Sequence, residues 1–341
     1  MTRAPGPMLR AEDLRPMIEE AAARIYGLVH ETPVSSLAGA PGVPPGTRAF
    51  AKLEQLQHTG SFKLRGATNK LLSLGAAGAA AGVITSSTGN HGIGVAAAAQ
   101  HLGIDAEVYL SGQVAEAKRV KIAAFGARLR QVGESPLDAE AGAREDARRS
   151  GRAYVSPYND PHVVAGQGTV AVELARQLPD LDAVFVATGG GGLVSGIGCW
   201  LRAASPRTEV VACWADHSKV LYESLRAGRI VEAPELPTLS ESTAGGIEAG
   251  SITFDLCRQV VDRAELVSEQ EILAAMRYGH ARGWAMEGAG GVALAALLRN
   301  ARRYEGGTIA AVICGGNPSA AVRALLEAPE PGPSTRPDAT S

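Results

Sequence analysis

The 341-residue chain is 45% hydrophobic and 20% charged, and its 33 Lys and Arg against 35 Asp and Glu leave a formal net charge of −2. That near-neutral balance, with no block of Lys or Arg, argues against nucleic acid or an anionic membrane surface as the main partner, because both need a concentrated basic field. No run approaches the roughly 18 apolar residues that span a bilayer, and the opening MTRAPGPMLRAEDLRPM has no apolar stretch of signal-peptide type, so a cytoplasmic protein acting on small molecules is expected. Cys199, Cys213, Cys257 and Cys314 lie far apart, which suits reduced thiols rather than a metal knuckle or a disulfide framework.

In chain order, the first informative segment is KLEQLQHTGSFKLRGATNKLL (52–72), where Thr59-Gly60-Ser61 reads as a helix start beside Lys63. A lysine whose pKa is lowered by burial can attack an aldehyde, whereas a lysine on an amphipathic helix simply faces solvent, as expected of Lys70. GVITSSTGNHGIGVAAAAQHLG (82–103) then reads as strand, glycine turn and helix. EVYLSG (107–112), a helix around Lys118–Ala124, GARLRQVG (126–133) and a helix over DAEAGAREDARRSG (138–151) follow. The cluster SPYNDPHVVAGQGT (156–169) breaks periodicity before a helix beginning TVAVELARQL, and the lobe junction is placed there. AVFVATGGGGLVSGIGCWLRAA (183–204) and AAVICGGNPSAAVRALLE (310–327) repeat the strand, glycine, helix pattern.

Alternation of this kind predicts an α/β fold of βαβ units, with ligands gathered at the carboxyl ends of parallel strands. The expected division is a large domain from 11–80 and 157–327, a small domain from 81–156 and a Pro/Ser-rich disordered tail from 328–341. Within the second glycine unit, Gly189, Gly190, Gly191 and Gly192 let several N–H groups point at one anion, reinforced by the positive end of the following helix. A tight turn without ligand is the plain alternative. A dinucleotide loop is disfavoured, since GGGGLVSGIG fits G-x-G-x-x-G in no frame.

The string S-F-K-x-R-G-A around Lys63 resembles the cofactor-lysine motif of the fold-type II pyridoxal-phosphate enzymes, the threonine/serine dehydratase group. The other motifs of that family follow in order as SSTGNHG (86–92), GGGGL (189–193) and CGGN (314–317), so the resemblance runs from about Glu31 to Leu326. It implies two open parallel-type sheets flanked by helices, as in the tryptophan synthase β chain, with pyridoxal 5'-phosphate in the cleft between lobes of a homodimer. By the same resemblance Lys63 carries the cofactor as a Schiff base and removes the substrate Cα proton. Phe62, Leu193 and Gly246 join the four glycines around the cofactor, Asn90 meets the ring hydroxyl, and Cys314 faces the ring nitrogen. Ser87, Thr88 and Gly89 would hold the substrate carboxylate, while His91 is left outside the site.

The activity so implied is loss of water from a β-hydroxy-α-amino acid to give a 2-keto acid and ammonia. Phrases such as PTLSESTAGGIEAGSITF also resemble dehydratases of the hydroxyectoine-breakdown branch. β-Replacement and racemisation on the same scaffold are the alternatives, although Thr88 stands where the family's racemases carry serine. A non-catalytic binding protein is a further one. Two departures matter, the metal ligands and the arginine that helps some of the family's racemases close on a substrate carboxylate, which is not evident in ESPLDAEAGAR, where the aligned residue falls near Glu140. Trp214 and Val220 stand where many members carry Glu and Asp metal ligands, and Asp216 with His217 lacks a third ligand, so no metal is expected. In STAGGIEAGSITFDL (242–256), Gly245 and Gly246 allow close approach to the cofactor, and Glu248 is expected to face solvent or a cationic substrate.

Overall fold

Apolar runs of four or five residues closed by glycine or small polar residues become strands, and the alanine-rich stretches after them become helices that cover the sheets. The computed structural model describes residues 9–112, 114 and 116–328; apart from Ala328, the expected tail lies outside the described residues. Ten strands occur among the described residues: β1 Val34–Ser36, β2 Arg48–Lys52, β3 Val83–Ser86, β4 Ala106–Leu110, β5 Arg128–Gln131, β6 Ala153–Tyr154, β7 Ala183–Ala187, β8 Glu209–Ala215, β9 Arg263–Val267 and β10 Thr308–Val312. They form one sheet in the order β1-β2-β10-β7-β8-β9 and a second in the order β5-β4-β3-β6.

All pairings are parallel except β1 with β2, where Val34 lies opposite Lys52. The antiparallel edge departs from a purely parallel expectation because the link between these two strands contains no helix to return the chain to the starting end. Every residue of β7 (AVFVA) and β10 (TIAAV) is buried, as expected of parallel strands covered on both faces. Helix Gly288–Asn300 packs on β7, β8 and β10, while Ala11–Ile25, Pro161–Gln177 and Gly192–Ala204 pack on one another through Leu14, Ile18, Val164 and Cys199. The four cysteines are free and buried.

One boundary differs from the sequence reading. The segment 156–169 is not a break throughout: the helix starts at Pro161, because Asp160 Oδ1 accepts from the N–H groups of His162 and Val163 and proline suits the first helical position. Gly166 and Gly168 sit inside this helix for lack of room. A Cβ on Gly166 would lie 2.6 Å from Arg65 O, and one on Gly168 2.7 Å from Ile18 Cδ1. Lys70 is likewise no free surface lysine, since its Nζ lies 2.6 Å from Asp160 Oδ2.

Beneath the Lys63 helix (Lys63–Leu72) lies a fully buried charge network. Arg65 donates through Nε and Nη2 to Glu54 (2.7 and 2.8 Å) and through Nη1 and Nη2 to Glu173 (2.6 and 2.9 Å). Lys52 Nζ lies 2.5 Å from Glu173 Oε2, and all four charged side chains have 0% exposure. Two cations thus face two anions, and the remaining lone pairs meet Thr32 Oγ1 and Tyr26 O–H. Burial alone would push the Glu54 carboxyl upward, yet the Arg65 guanidinium holds it below the usual carboxylate range.

Candidate active site

The carboxyl ends of β3, β7 and β10 open onto one cleft of about 470 Å³, the position where α/β sheets bind ligands. Its wall contains every residue singled out from the sequence: Phe62, Lys63, Ser87, Thr88, Gly89, Asn90, Gly189, Gly190, Gly191, Gly192, Leu193, Gly246 and Cys314.

Lys63 opens its helix next to Phe62, whose N–H donates to Cys314 O at 3.1 Å. A Ser61–Gly315 bridge and the Gly316 N–H to Gly60 O bond (2.8 Å) tie the same two segments, so the lysine and the thiol are fixed relative to each other. Lys63 Nζ donates to Pro157 O at 2.9 Å and stands 5.2 Å from the Phe62 ring centre. Desolvation pushes this amine down to about 8, only partly opposed by the neighbouring Cys314 and Glu287. Burial also pushes the Cys314 thiol well up, so it is neutral.

Ser87–Gly89 precede helix Asn90–Leu102 directly, and Ser87 Oγ accepts from the Gly89 N–H at 3.2 Å. The loop therefore presents polar groups at a helix N-terminus, where an anion is favoured. His91 Nε2 lies 3.0 Å from Val155 O, and burial pushes the ring down to about 3, so it stays neutral and ties two backbone segments together.

At the glycine loop, helix Gly192–Ala204 begins after Gly191, whose φ of +84° favours glycine. A Cβ on Gly189 would stand 2.8 Å from Thr243 O and 2.9 Å from Thr243 Cα, and one on Gly190 2.5 Å from the Tyr158 ring. Side chains are thus kept out of a turn whose N–H groups, as at any helix start, lack intrahelical acceptors. A phosphate group fits such a cradle. A desolvated amine, a neutral thiol and a neutral-donor amide within the same cleft fit a phosphorylated aldehyde cofactor as a whole.

Among the other residues lining the cleft, Glu287, Ser242, Asn317 and Tyr158 offer polar groups to which the sequence reading gave no role. Glu287 precedes helix Gly288–Asn300 and accepts from Asn90 Nδ2 on both oxygens at 2.9 Å and from Ser242 Oγ at 2.9 Å. Its signal was a lone carboxylate stranded in the apolar, glycine-rich WAMEGAGGVALAAL. Glu248 neither faces solvent freely nor waits for a cation. It pairs with Arg144, 2.8 Å away on helix Pro136–Ser150, and its N–H donates to the Tyr158 hydroxyl at 3.0 Å. Gly246 has open space where a Cβ would stand, so no contact within the chain demands glycine there.

At the end of β8, Trp214 is buried and meets the Tyr222 ring edge-on at 5.6 Å. Asp216 and His217 do gain a third neighbour in Glu269. Glu269 nevertheless accepts from Thr238 Oγ1 (2.6 Å) and Leu239 N (2.7 Å), and His217 Nδ1 lies 2.7 Å from Pro237 O, so these groups serve as an anchor for the 237–239 loop.

A family model described as "Pyridoxal-phosphate dependent enzyme" matches residues 25–315. The chain is 36% identical over 311 residues to an L-threonine ammonia-lyase of Thermotoga maritima, covering 91% of this chain and 76% of that protein. Among solved structures it resembles the processed form of threonine deaminase isoform 2 from Solanum lycopersicum, with a TM-score of 0.86, 28% identity, and 96% and 98% of the two chains covered. Maize serine racemase is similar at a TM-score of 0.84 and 29% identity, covering 91% and 95%.

Proposed function

Because the chain belongs to the pyridoxal-phosphate-dependent enzymes, we propose that its cleft carries out the α,β-elimination of water from a β-hydroxy-α-amino acid, yielding a 2-keto acid and ammonia. The observation that carries this reading is the desolvated Lys63 amine, fixed within one cleft beside the neutral Cys314 thiol and the glycine loop. Bound there, pyridoxal phosphate supplies an aldehyde and an electron-withdrawing ring.

Each residue then has a task that its surroundings suit. Gly189–Gly192 and Leu193 hold the phosphate with backbone N–H groups at the start of their helix. Asn90 donates to the ring hydroxyl, and Cys314, neutral, meets the ring nitrogen without favouring its protonation. Phe62 and Gly246 border the ring. Ser87, Thr88 and Gly89 orient the substrate carboxylate at the N-terminus of helix Asn90–Leu102. Lys63, once released, takes the Cα proton, a role that a lowered amine pKa serves near neutral pH. The strands and helices between 81 and 156 form the smaller lobe, facing 11–80 with 157–327.

L-Threonine or L-serine is the substrate class proposed, on the strength of the ammonia-lyase and deaminase relatives. Keto-acid release from a panel of L-threonine, L-serine, threo-phenylserine and hydroxyaspartate tests it. A thiol incorporated at Cβ, or D-amino acid accumulating without keto acid, would replace elimination by β-replacement or racemisation. No described helix is long and apolar enough to cross a membrane. A cytoplasmic homodimer completes the proposal.

The amine also sets a pH dependence. A folded-state value of about 8, against the ordinary 10.5, means that the nucleophilic neutral form appears as pH rises through about 8. The rate of cofactor attachment to the cofactor-free protein, followed by visible absorbance, should therefore climb through that value and level off above it. A rate still climbing steeply between 9 and 10.5 would mean an unshifted lysine.

A further inference from the structure

A side-chain amide has a definite orientation only when a partner of one fixed kind lies against it. Two such partners bracket Asn317. Thr59 O, a backbone carbonyl, accepts only, and it receives Asn317 Nδ2 at 2.9 Å; Lys121 Nζ donates only, and it faces Asn317 Oδ1 at 3.5 Å. The same Nδ2 donates to Asn90 Oδ1 at 2.8 Å. Asn90 is thereby turned so that its oxygen meets Asn317 and its amino group meets Glu287, whose two oxygens both lie 2.9 Å from Nδ2.

The oxygens of one carboxylate subtend a narrower angle than the two N–H bonds of an amide, so a single hydrogen serves both and the other is left over. Glu287 is itself held from two more segments, by Ser242 Oγ at 2.9 Å and through its own N–H to Gly315 O at 3.0 Å. Asn90 and Glu287 are 8% and 7% exposed, so water does not compete for these contacts. Burial pushes the Glu287 carboxyl upward, and the donors from Asn90 and Ser242 oppose that shift.

We propose that Glu287 is a positioning residue that acts through Asn90, clamping the amide so that its second N–H is presented to the cofactor's ring hydroxyl. The inference rests on the cofactor reading above. In this role Glu287 decides that Asn90 offers a donor and holds that donor in one rotamer.

The test is a titration of pyridoxal phosphate into the cofactor-free protein, read by visible absorbance, for wild type, Glu287→Leu, Asn90→Ala and the double variant. Glu287→Leu should weaken binding about tenfold or more. The double variant should bind no more than about twofold worse than Asn90→Ala alone, because both changes remove one and the same contact. Glu287→Gln keeps an acceptor for Asn90 and the same volume, so its affinity should stay within about threefold of wild type. Loss of the negative charge should nonetheless move the pH midpoint of the bound cofactor's absorbance to lower pH, since a neighbouring anion favours protonated forms. Wild-type affinity in Glu287→Leu, additive losses in the double variant, or an unmoved midpoint in Glu287→Gln would overturn the inference. Failure of the wild-type protein to bind pyridoxal phosphate at all would instead overturn the function on which it rests.

Discussion

Lys63→Ala should lose more than about a thousandfold in keto-acid release, with activity at the level of the buffer reaction. The size of the effect follows from two roles falling on one atom. In the proposed reading the Nζ that lies 2.9 Å from Pro157 O, desolvated to a value of about 8, would be both the group that captures the aldehyde and the base that takes the Cα proton. Lys121, also on the cleft wall, has its Nζ turned to Asn317 Oδ1 at 3.5 Å. His91 is the nearest candidate base by residue type, and its ring is held by Val155 O. Pyridoxal phosphate should bind this variant through the glycine loop and Asn90 without covalent attachment, so dialysis should strip it where the wild type retains it. Elimination at a near-normal rate in Lys63→Ala would sink the proposed function, whatever the cofactor content.

Arg65→Leu should cost about 3–5 kcal/mol of stability, read as a lower urea midpoint of the cofactor-free protein. The replacement removes the guanidinium that bridges Glu54 and Glu173, leaving two carboxylates of 0% exposure with Lys52 as their remaining cation among the described residues. The pH dependence should also change sign. In the wild type the Glu54 carboxyl lies below its ordinary value, so its contribution is present at neutral pH and fades as pH falls through the carboxylate range. Without Arg65, burial pushes the Glu54 carboxyl upward instead, and its protonation relieves the variant, so its deficit should narrow as pH is lowered. An unchanged midpoint would show that the network contributes nothing to folding, and a deficit that widens in acid would show that unpaired buried carboxylates are not its cause. The same arginine sits two residues after Lys63, so the motif S-F-K-x-R-G-A joins the reactive amine to the anchor of its helix.

The sequence by itself determined the local units. Each strand, glycine turn and helix at 82–103, 183–204 and 310–327 is encoded in contiguous residues, because the apolar strand run, the positive φ at Gly191 and the helix start after it depend on near neighbours. Lys63, Asn90, the glycine loop and Cys314, each carried by a short motif, could be proposed from the sequence, and the fold brings them to one cleft wall. Tertiary structure alone decided which side chains face one another. Glu287 lies 197 residues from Asn90, Glu173 lies 108 from Arg65 and Glu248 lies 104 from Arg144, and nothing in the flanking residues specifies those pairs. The helix start at Pro161 belongs between the two cases: its cap was written locally in Asp160-Pro161, but Gly166 and Gly168 inside the helix are explained only by packing against Arg65 and Ile18. Backbone conformation is set by short-range sterics and hydrogen bonding, whereas the partner of a buried charge or amide is set only when distant segments close over it and exclude water.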